Sequence, residues 1–172
     1  MDKIYLKAGS IILKLCGDDN LLSACRMIGS VLKSADIPFE ELPGAESADA
    51  AVITDFGSGA EDIISCIEAE RPAVIFDFME DEELGDEIAQ GCREKSASLR
   101  NADFLEIEVL QEMKSGIKFC YCDDAPLVIP YKDENELCNA AIALEAVEVL
   151  RELGLSVSPE AVKEGLKHCR EV

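Results

Sequence analysis

Two short, uninterrupted apolar runs constrain the fold of this chain more than any other feature. Residues 50–54 are Ala-Ala-Val-Ile-Thr, and residues 73–76 are Ala-Val-Ile-Phe. A strand that is apolar at every position is typical of a parallel sheet, because helices cover both faces of such a sheet. Between the two runs, residues 60–70 carry isoleucines at helical spacing and predict a helix. The pattern therefore predicts a β-α-β unit.

Strand and helix patterns continue on both sides of this unit. Further helices are predicted at residues 21–35, 81–95 and 135–153, and a last one starts at Ser158-Pro159-Glu160. Short strands are predicted at residues 3–6, 10–15 and 37–42, and three β runs follow at residues 103–109, 117–122 and 127–129. We therefore expect an α/β fold: a mostly parallel sheet flanked by helices, with a small antiparallel β appendage.

The charge of the chain excludes several classes of partner. Its 172 residues include 36 acidic and 16 basic side chains, which gives a formal net charge of −20. Such a field repels phosphate backbones and anionic lipid, so we expect neither nucleic-acid nor membrane binding. No apolar run approaches the ~20 residues of a membrane span, and the first 17 residues do not form a signal peptide. We expect a cytoplasmic protein whose partner is another protein or a second copy of itself.

The cysteines and the single histidine do not form a recognisable metal motif. Eight cysteines are scattered along the chain, and only Cys120 and Cys122 are close in sequence. Their spacing does not fit zinc, although in a strand both sulfurs would share one face. His168 lies near the end of the last helix, either as a surface residue or paired with Cys169. We expect no metal site and no catalytic residue.

Two segments resemble the central, ATP-binding domain of the folylpolyglutamate synthase and Mur ligase family. Residues 130–168 match the end of that domain, including the sequence Asn139-Ala140-Ala141 and a Ser-x-Glu helix start at Ser158. Residues 11–37 align without gaps on the family's strand, P-loop and following helix. The resemblance implies a P-loop-like α/β fold and a single domain over residues 1–172 that lacks the family's C-terminal domain.

The loop itself departs from the family's G-T-N-G-K-G-S-T pattern. Gly17 and Ser23 are kept, but Leu21 replaces the phosphate-binding lysine and Leu22 replaces the glycine that follows it. A P-loop binds phosphates through close backbone N–H groups and the lysine charge, so both contributions are weakened here. The remaining positions are Asp18, Asp19 and Asn20, in place of Thr, Asn and the second Gly, and Ala24, in place of the last Thr.

By resemblance, a degenerate nucleotide site would consist of Gly17, Asp18, Asp19, Asn20, Ser23 and Asn139. Asn139 resembles an asparagine that contacts adenine in the family, but a packing role at the start of its helix is the alternative. The aspartates, Asn20 and Ser23 are equally suited to forming a turn and capping the helix that follows. We expect no cofactor, with residual ATP or Mg²⁺ binding as the exception to be tested.

Other features of the family are also missing. The histidine that helps hold metal would fall at Gly59-Ala60, and the carboxylated lysine has no counterpart. Two functions remain open. The chain is a non-catalytic relative that works as a binding or partner module, or it is an ATP-dependent amide (glutamate) ligase subunit completed in trans by another chain.

Overall fold

A six-stranded sheet carries the fold, and its central strands are the apolar runs that dominate the sequence. The computed structural model describes residues 1–18, 20–54, 57–76, 81–122 and 125–171, except the side chain of Glu171. Within these residues the sheet contains β1 (Asp2–Ala8), β2 (Ile11–Gly17), β3 (Phe39–Leu42), β4 (Ala50–Ile53), β5 (Ala73–Phe76) and β6 (Leu99–Ala102). The strand order is β3-β1-β2-β4-β5-β6. Strands β2, β4, β5 and β6 are parallel, whereas β1 is antiparallel to both its neighbours.

Helices cover both faces of this sheet. They are α1 (Leu21–Ser34), α2 (Ala60–Cys66), α3 (Glu82–Glu94), α4 (Glu134–Glu152) and α5 (Pro159–Lys167). The two faces of strand β4 contact different helices. Ala50 and Val52 pack with α1 and α4, whereas Ala51 and Ile53 pack with α2 and α3. Side chains alternate across a strand, so an all-apolar strand serves two cores at once. The prediction of a mostly parallel sheet flanked by helices is confirmed.

The antiparallel appendage is confirmed as a second, three-stranded sheet within the described residues. It consists of β7 (Ile107–Met113), β8 (Gly116–Tyr121) and β9 (Leu127–Ile129). Phe119 and Ile129 are buried and join the core formed by α1 and α4. Strand β7 lies at the edge of this sheet and is exposed along most of its length.

The sequence prediction was wrong at two places after α3. Strand β6 was not predicted, because only Ala102 of its four residues is fully buried and the strand carries polar side chains. The strand predicted to begin at residue 103 begins instead at Ile107, after a short 3₁₀ helix over Phe104–Glu106. Asp103 caps that helix, since its carboxylate accepts a hydrogen bond from the Leu105 backbone N–H at 2.7 Å.

Helix α2 ends at Cys66 rather than at the predicted residue 70. Lys95, just beyond α3, donates hydrogen bonds at 2.6 Å to the backbone carbonyls of Ile64 and Ile67. The final carbonyls of a helix lack partners within it, and a lysine is well suited to satisfy them. The early end of α2 therefore depends on a tertiary contact that the local sequence does not show.

Helix α4 lies within one residue of its predicted bounds, and α5 begins where the sequence predicts. Ser158 caps α5, with its hydroxyl accepting a hydrogen bond from the Ala161 backbone N–H at 3.1 Å. Gly154 follows α4 with φ of +105°, a conformation that favours glycine. Helix α5 lies so close to α1 that a Cβ on Gly165 would be 2.5 Å from the Val31 Cα. The α1–α5 contact therefore requires glycine at position 165.

Candidate functional site

The predicted site residues lie where strand β2 ends and helix α1 begins. Gly17 is the last residue of β2, Asn20 precedes α1, and Ser23 lies in the first turn of the helix. The Asp18 carboxylate accepts a hydrogen bond from the Asn20 backbone N–H at 3.2 Å and is exposed. Asp18 thus forms the predicted turn. Asp19 lies outside the described residues.

Asn139 reaches the same place from helix α4, 119 residues away in sequence from Asn20. Its Nδ2 donates a hydrogen bond to the Asn20 Oδ1 at 3.4 Å. The Asn20 side chain therefore points to α4 and makes no capping hydrogen bond to its own helix. Asn139 is only 2% exposed, and its Oδ1 has no hydrogen-bond partner in the described part of the chain. The two segments that resemble the family meet at this contact. Among the described residues, the Asn139 Oδ1 is left as a buried acceptor without a hydrogen bond.

Glu136, which no sequence motif singled out, lies against Ser23 at this site. The Ser23 hydroxyl donates a hydrogen bond to the Glu136 Oε2. Glu136 and Asn139 are three residues apart on α4 and so lie on the same side of the helix, which is the spacing that could have revealed the pair. The carboxylate is placed against the first turn of α1, where backbone N–H groups and the helix dipole favour an anion. An internal anion therefore lies beside the segment that would bind phosphate in a P-loop.

The two leucines of the loop, Leu21 and Leu22, differ in burial. Leu21, at the position of the phosphate-binding lysine in the resembled pattern, is buried among the core residues around α1. Leu22 points to solvent. An apolar side chain directed into the core supplies no positive charge to the loop, so the Leu21 side chain contributes nothing to phosphate binding.

Gly17 is required by packing, whether or not a ligand approaches it. A Cβ at this position would lie 1.9 Å from the Thr54 Oγ1, at the end of the neighbouring strand β4. Thr54 is fully buried, and its backbone N–H donates to the Cys16 carbonyl at 2.9 Å. The retained glycine is thus explained by the close approach of β2 and β4.

Elsewhere in the described residues, the reactive side chains do not assemble into a known catalytic set. His168 lies at the C-terminal end of α5, with its Nε2 3.5 Å from the Glu164 carboxylate, as expected for a surface histidine there. Burial raises the pKa of the Cys169 thiol to about 11, so Cys169 is a protonated core residue and not a nucleophile. Cys122 lies beyond the end of β8 with φ of 50°, so it does not share a strand face with Cys120 as the sequence pattern suggested.

Within the described ranges, no group of three His, Cys, Asp or Glu side chains is placed to hold a metal ion. None of the described helices is long and apolar enough to cross a membrane.

Solved structures of one kind of enzyme share this arrangement of strands and helices. Folylpolyglutamate synthetase from Lactobacillus casei superposes with a TM-score of 0.73 over 91% of this chain, at 12% sequence identity. The enzyme from Thermotoga maritima superposes with a TM-score of 0.66 over 90% of the chain, at 15% identity. This chain has the folylpolyglutamate synthetase fold. The bifunctional folylpolyglutamate synthase/dihydrofolate synthase from Yersinia pestis is also similar, with a TM-score of 0.58 over 90% of the chain and 16% identity.

The folylpolyglutamate synthetase fold is shown by the structural comparison and not by the comparisons of whole sequences. No family model matches the sequence, and no curated protein is similar to it in sequence. The chain spans 62% of the Lactobacillus casei enzyme and 56% of the Thermotoga maritima enzyme. The resemblance found in residues 11–37 and 130–168 is therefore confirmed as a likeness of fold over about 90% of this chain.

Proposed function

We propose that this chain is a non-catalytic relative of the folylpolyglutamate synthetases that works as a binding module for another protein. The observation that carries the proposal is the contact between Ser23 and Glu136. In a P-loop the backbone N–H groups of this turn face phosphate. Here the Glu136 carboxylate lies against the same turn through its hydrogen bond with Ser23, and its charge repels an incoming triphosphate.

The rest of the loop supports the same conclusion. Leu21 is buried where the resembled pattern has a lysine, and Asp18 adds a second negative charge at the start of α1. Charge-assisted hydrogen bonds to phosphate are among the strongest polar contacts, so losing the lysine removes a main source of nucleotide affinity. The formal net charge of −20 opposes the same ligand at longer range.

A protein-binding surface is supported at the edge of the small sheet. Phe104, Leu105, Val109 and Leu110 are exposed along and just before β7. A long exposed edge strand with apolar side chains is a ready site for the addition of another strand. Glutamates at positions 106, 108 and 112 are exposed on the same segment. Because like charges would oppose pairing with a second copy of β7, we propose a partner strand rich in lysine and arginine.

The first test is calorimetric titration of the protein with Mg-ATP, and separately with Mg-ADP. We expect no saturable heat and no rise in melting temperature up to millimolar nucleotide. An assay for ATP-dependent ligation of glutamate should likewise show no turnover. Saturable nucleotide binding or ligation would overturn the non-catalytic proposal.

The second test concerns the partner surface. A partner crosslinked to the wild-type protein should be lost with Leu110→Lys, because a positive charge on the apolar edge repels a basic partner strand and opposes its addition. Leu22→Lys changes an exposed leucine on helix α1 and serves as the matched control. Equal recovery by both variants would show that the β7 edge is not the binding surface.

A ligase subunit completed in trans is the second candidate, and Asn139 is the observation that favours it. Its buried Oδ1 is unpartnered within the described residues, and such an acceptor is costly unless a ligand uses it. If nucleotide binds, Asn139→Leu should abolish the binding, whereas the exposed Asn135→Leu should not. That result would make the partner-completed ligase the leading function.

A further inference from the structure

Three sulfur atoms from different parts of the chain meet on the α2 side of the main sheet, away from the loop discussed above. Cys16 lies near the end of β2 and Cys66 is the last residue of α2. The Cys16 and Cys66 thiols are hydrogen-bonded neighbours. The Cys66 Sγ lies 3.5 Å from the thioether Sδ of Met1. We propose that Cys16, Cys66 and Met1 form a binding site for a soft monovalent metal ion, Cu⁺.

The donor set selects the kind of ion. Thiolate and thioether sulfurs are soft ligands that favour Cu⁺, whereas structural zinc sites are closed by four ligands. The Glu68 carboxylate, two residues after Cys66, is engaged by the Lys14 ammonium group. Cys16 and Cys66 belong to the apolar cluster between the sheet and helices α2 and α3. A water-poor, all-sulfur pocket suits Cu⁺ better than a harder divalent ion.

The sulfur geometry needs little change to hold an ion. Three sulfurs about 2.3 Å from one metal lie about 4 Å from each other. The Sγ–Sδ distance of 3.5 Å between Cys66 and Met1 is slightly shorter, so the thioether would have to withdraw by about half an ångström. Met1 is 41% exposed, whereas Cys16 and Cys66 are 0% and 1% exposed. Movement of the Met1 side chain therefore provides the entry path to two buried thiols.

The positive charges of Lys3 and Lys14 favour the Cu⁺-bound form of the site. Lys3 pairs with Cys16 across β1 and β2, and Lys14 lies two residues before Cys16 on the same strand face. Both lysines stabilise negative charge on the thiols. On binding, Cu⁺ replaces the thiol protons, which pass to solvent, and no electron is transferred. Two thiolates and one Cu⁺ leave a single negative charge, which the lysines offset.

The test is competition for Cu⁺ against a chromophoric chelator, with reduced protein and under anaerobic conditions. We expect the wild-type protein to take up one equivalent of Cu⁺. Cys66→Ala and Cys16→Ala should each weaken the affinity at least tenfold. Cys92→Ala removes another buried thiol from the same apolar cluster, and Cys122→Ser removes an exposed one. Both controls should bind like the wild type.

A second readout uses the wild-type protein alone and does not depend on whether a variant folds. The chain contains four methionines, and Met27 is buried in the core on the other face of the sheet. With ¹³C-methyl methionine, Cu⁺ should shift the Met1 methyl resonance and leave the Met27 resonance unchanged. An unshifted Met1 resonance, or equal affinity of Cys66→Ala and wild type, would overturn the proposal. So would a Cys16–Cys66 disulfide in untreated protein that, once reduced, takes up no Cu⁺.

Discussion

Ser23 and Glu136 join helix α1 to helix α4 through a hydrogen bond between a hydroxyl and a carboxylate. Ser23 is one of two loop residues that match the resembled P-loop, and Glu136 lies 113 residues away. The pair places a negative charge of the chain itself beside the loop that resembles a P-loop. Its energy can be measured by truncating the two side chains, because both residues are partly accessible.

A double-mutant cycle of Ser23→Ala and Glu136→Ala should give a coupling energy of about 1.5 kcal/mol, as is typical of a hydrogen bond to a charged group. Urea unfolding of the wild type, both single variants and the double variant provides the measurement. Asn135→Ala, on the exposed side of α4, should change stability by less than about 0.5 kcal/mol. A coupling energy near zero would show that the contact does not stabilise the fold.

Gly17→Ala should destabilise the protein by about 2 kcal/mol, because the new methyl group collides with the Thr54 hydroxyl. Thr54→Ala removes that hydroxyl and leaves the Thr54 Cβ 3.2 Å from the added methyl. The double variant should therefore be more stable than the sum of the single changes predicts. Thermal unfolding of the four proteins tests this. Strict additivity would mean that Gly17 is required for another reason.

Lys14 and Glu68 form an ion pair whose two members differ in burial. The Lys14 residue is 5% exposed within β2, whereas Glu68 reaches solvent at the end of α2. Glu68→Gln leaves a buried ammonium group without its counter-charge and should cost about 2 kcal/mol. Lys14→Met removes the charge and keeps the aliphatic volume, so its cost should be smaller. Chemical denaturation measures the loss of stability of each variant. Glu70→Gln changes an exposed glutamate nearby and serves as the control. A larger loss for Lys14→Met than for Glu68→Gln would contradict the prediction.

The buried thiols predict how stability depends on alkaline pH. Burial raises the pKa of both Cys25 and Cys169 to about 11, from an ordinary value of 9.0. A raised pKa in the folded state gives stability that is fully present below the unfolded value and is lost as pH rises toward the folded value. The unfolding free energy should therefore fall between about pH 9 and pH 11.

Cys25→Ala and Cys169→Ala should each make this decline less steep, because the unfolded variant has one thiol fewer to ionise. Urea unfolding at several pH values in this window gives the slope. All other ionisable groups are common to variant and wild type, so the difference between the two slopes isolates the thiol. Identical slopes would show that the thiol is not protected in the folded state.

The fold could be predicted from the sequence where burial or a helix end produces a recognisable pattern among neighbouring residues. β4 and β5 are apolar at every position because both faces are covered, and Ser158 and Gly154 mark helix ends by their own conformational preferences. Strand β6 and the end of α2 could not be predicted in this way. The first depends on pairing at a sheet edge, and the second on the Lys95 contact with two carbonyls.

The location of the candidate site could be predicted from the sequence, but the contacts between its side chains could not. The matches at residues 11–37 and 130–168 identified the two segments that meet. The direction of the Asn20 side chain and the role of Glu136 depend on the angle between α1 and α4, which no local pattern encodes. The buried position of Leu21 follows from the same packing.

The close contact between Gly165 and Val31 has a consequence for how the chain is made. Strands β1, β2 and β3 and helix α1 all lie within the first 42 residues, and their pairings are local. Domains emerge from the ribosome N-terminal end first, so this unit is free to form early. The apolar face of α1, however, is covered by α4 and α5, which are synthesised after both sheets. During most of translation that face has no cover, and the nascent chain should depend on chaperones until residue 167 has emerged.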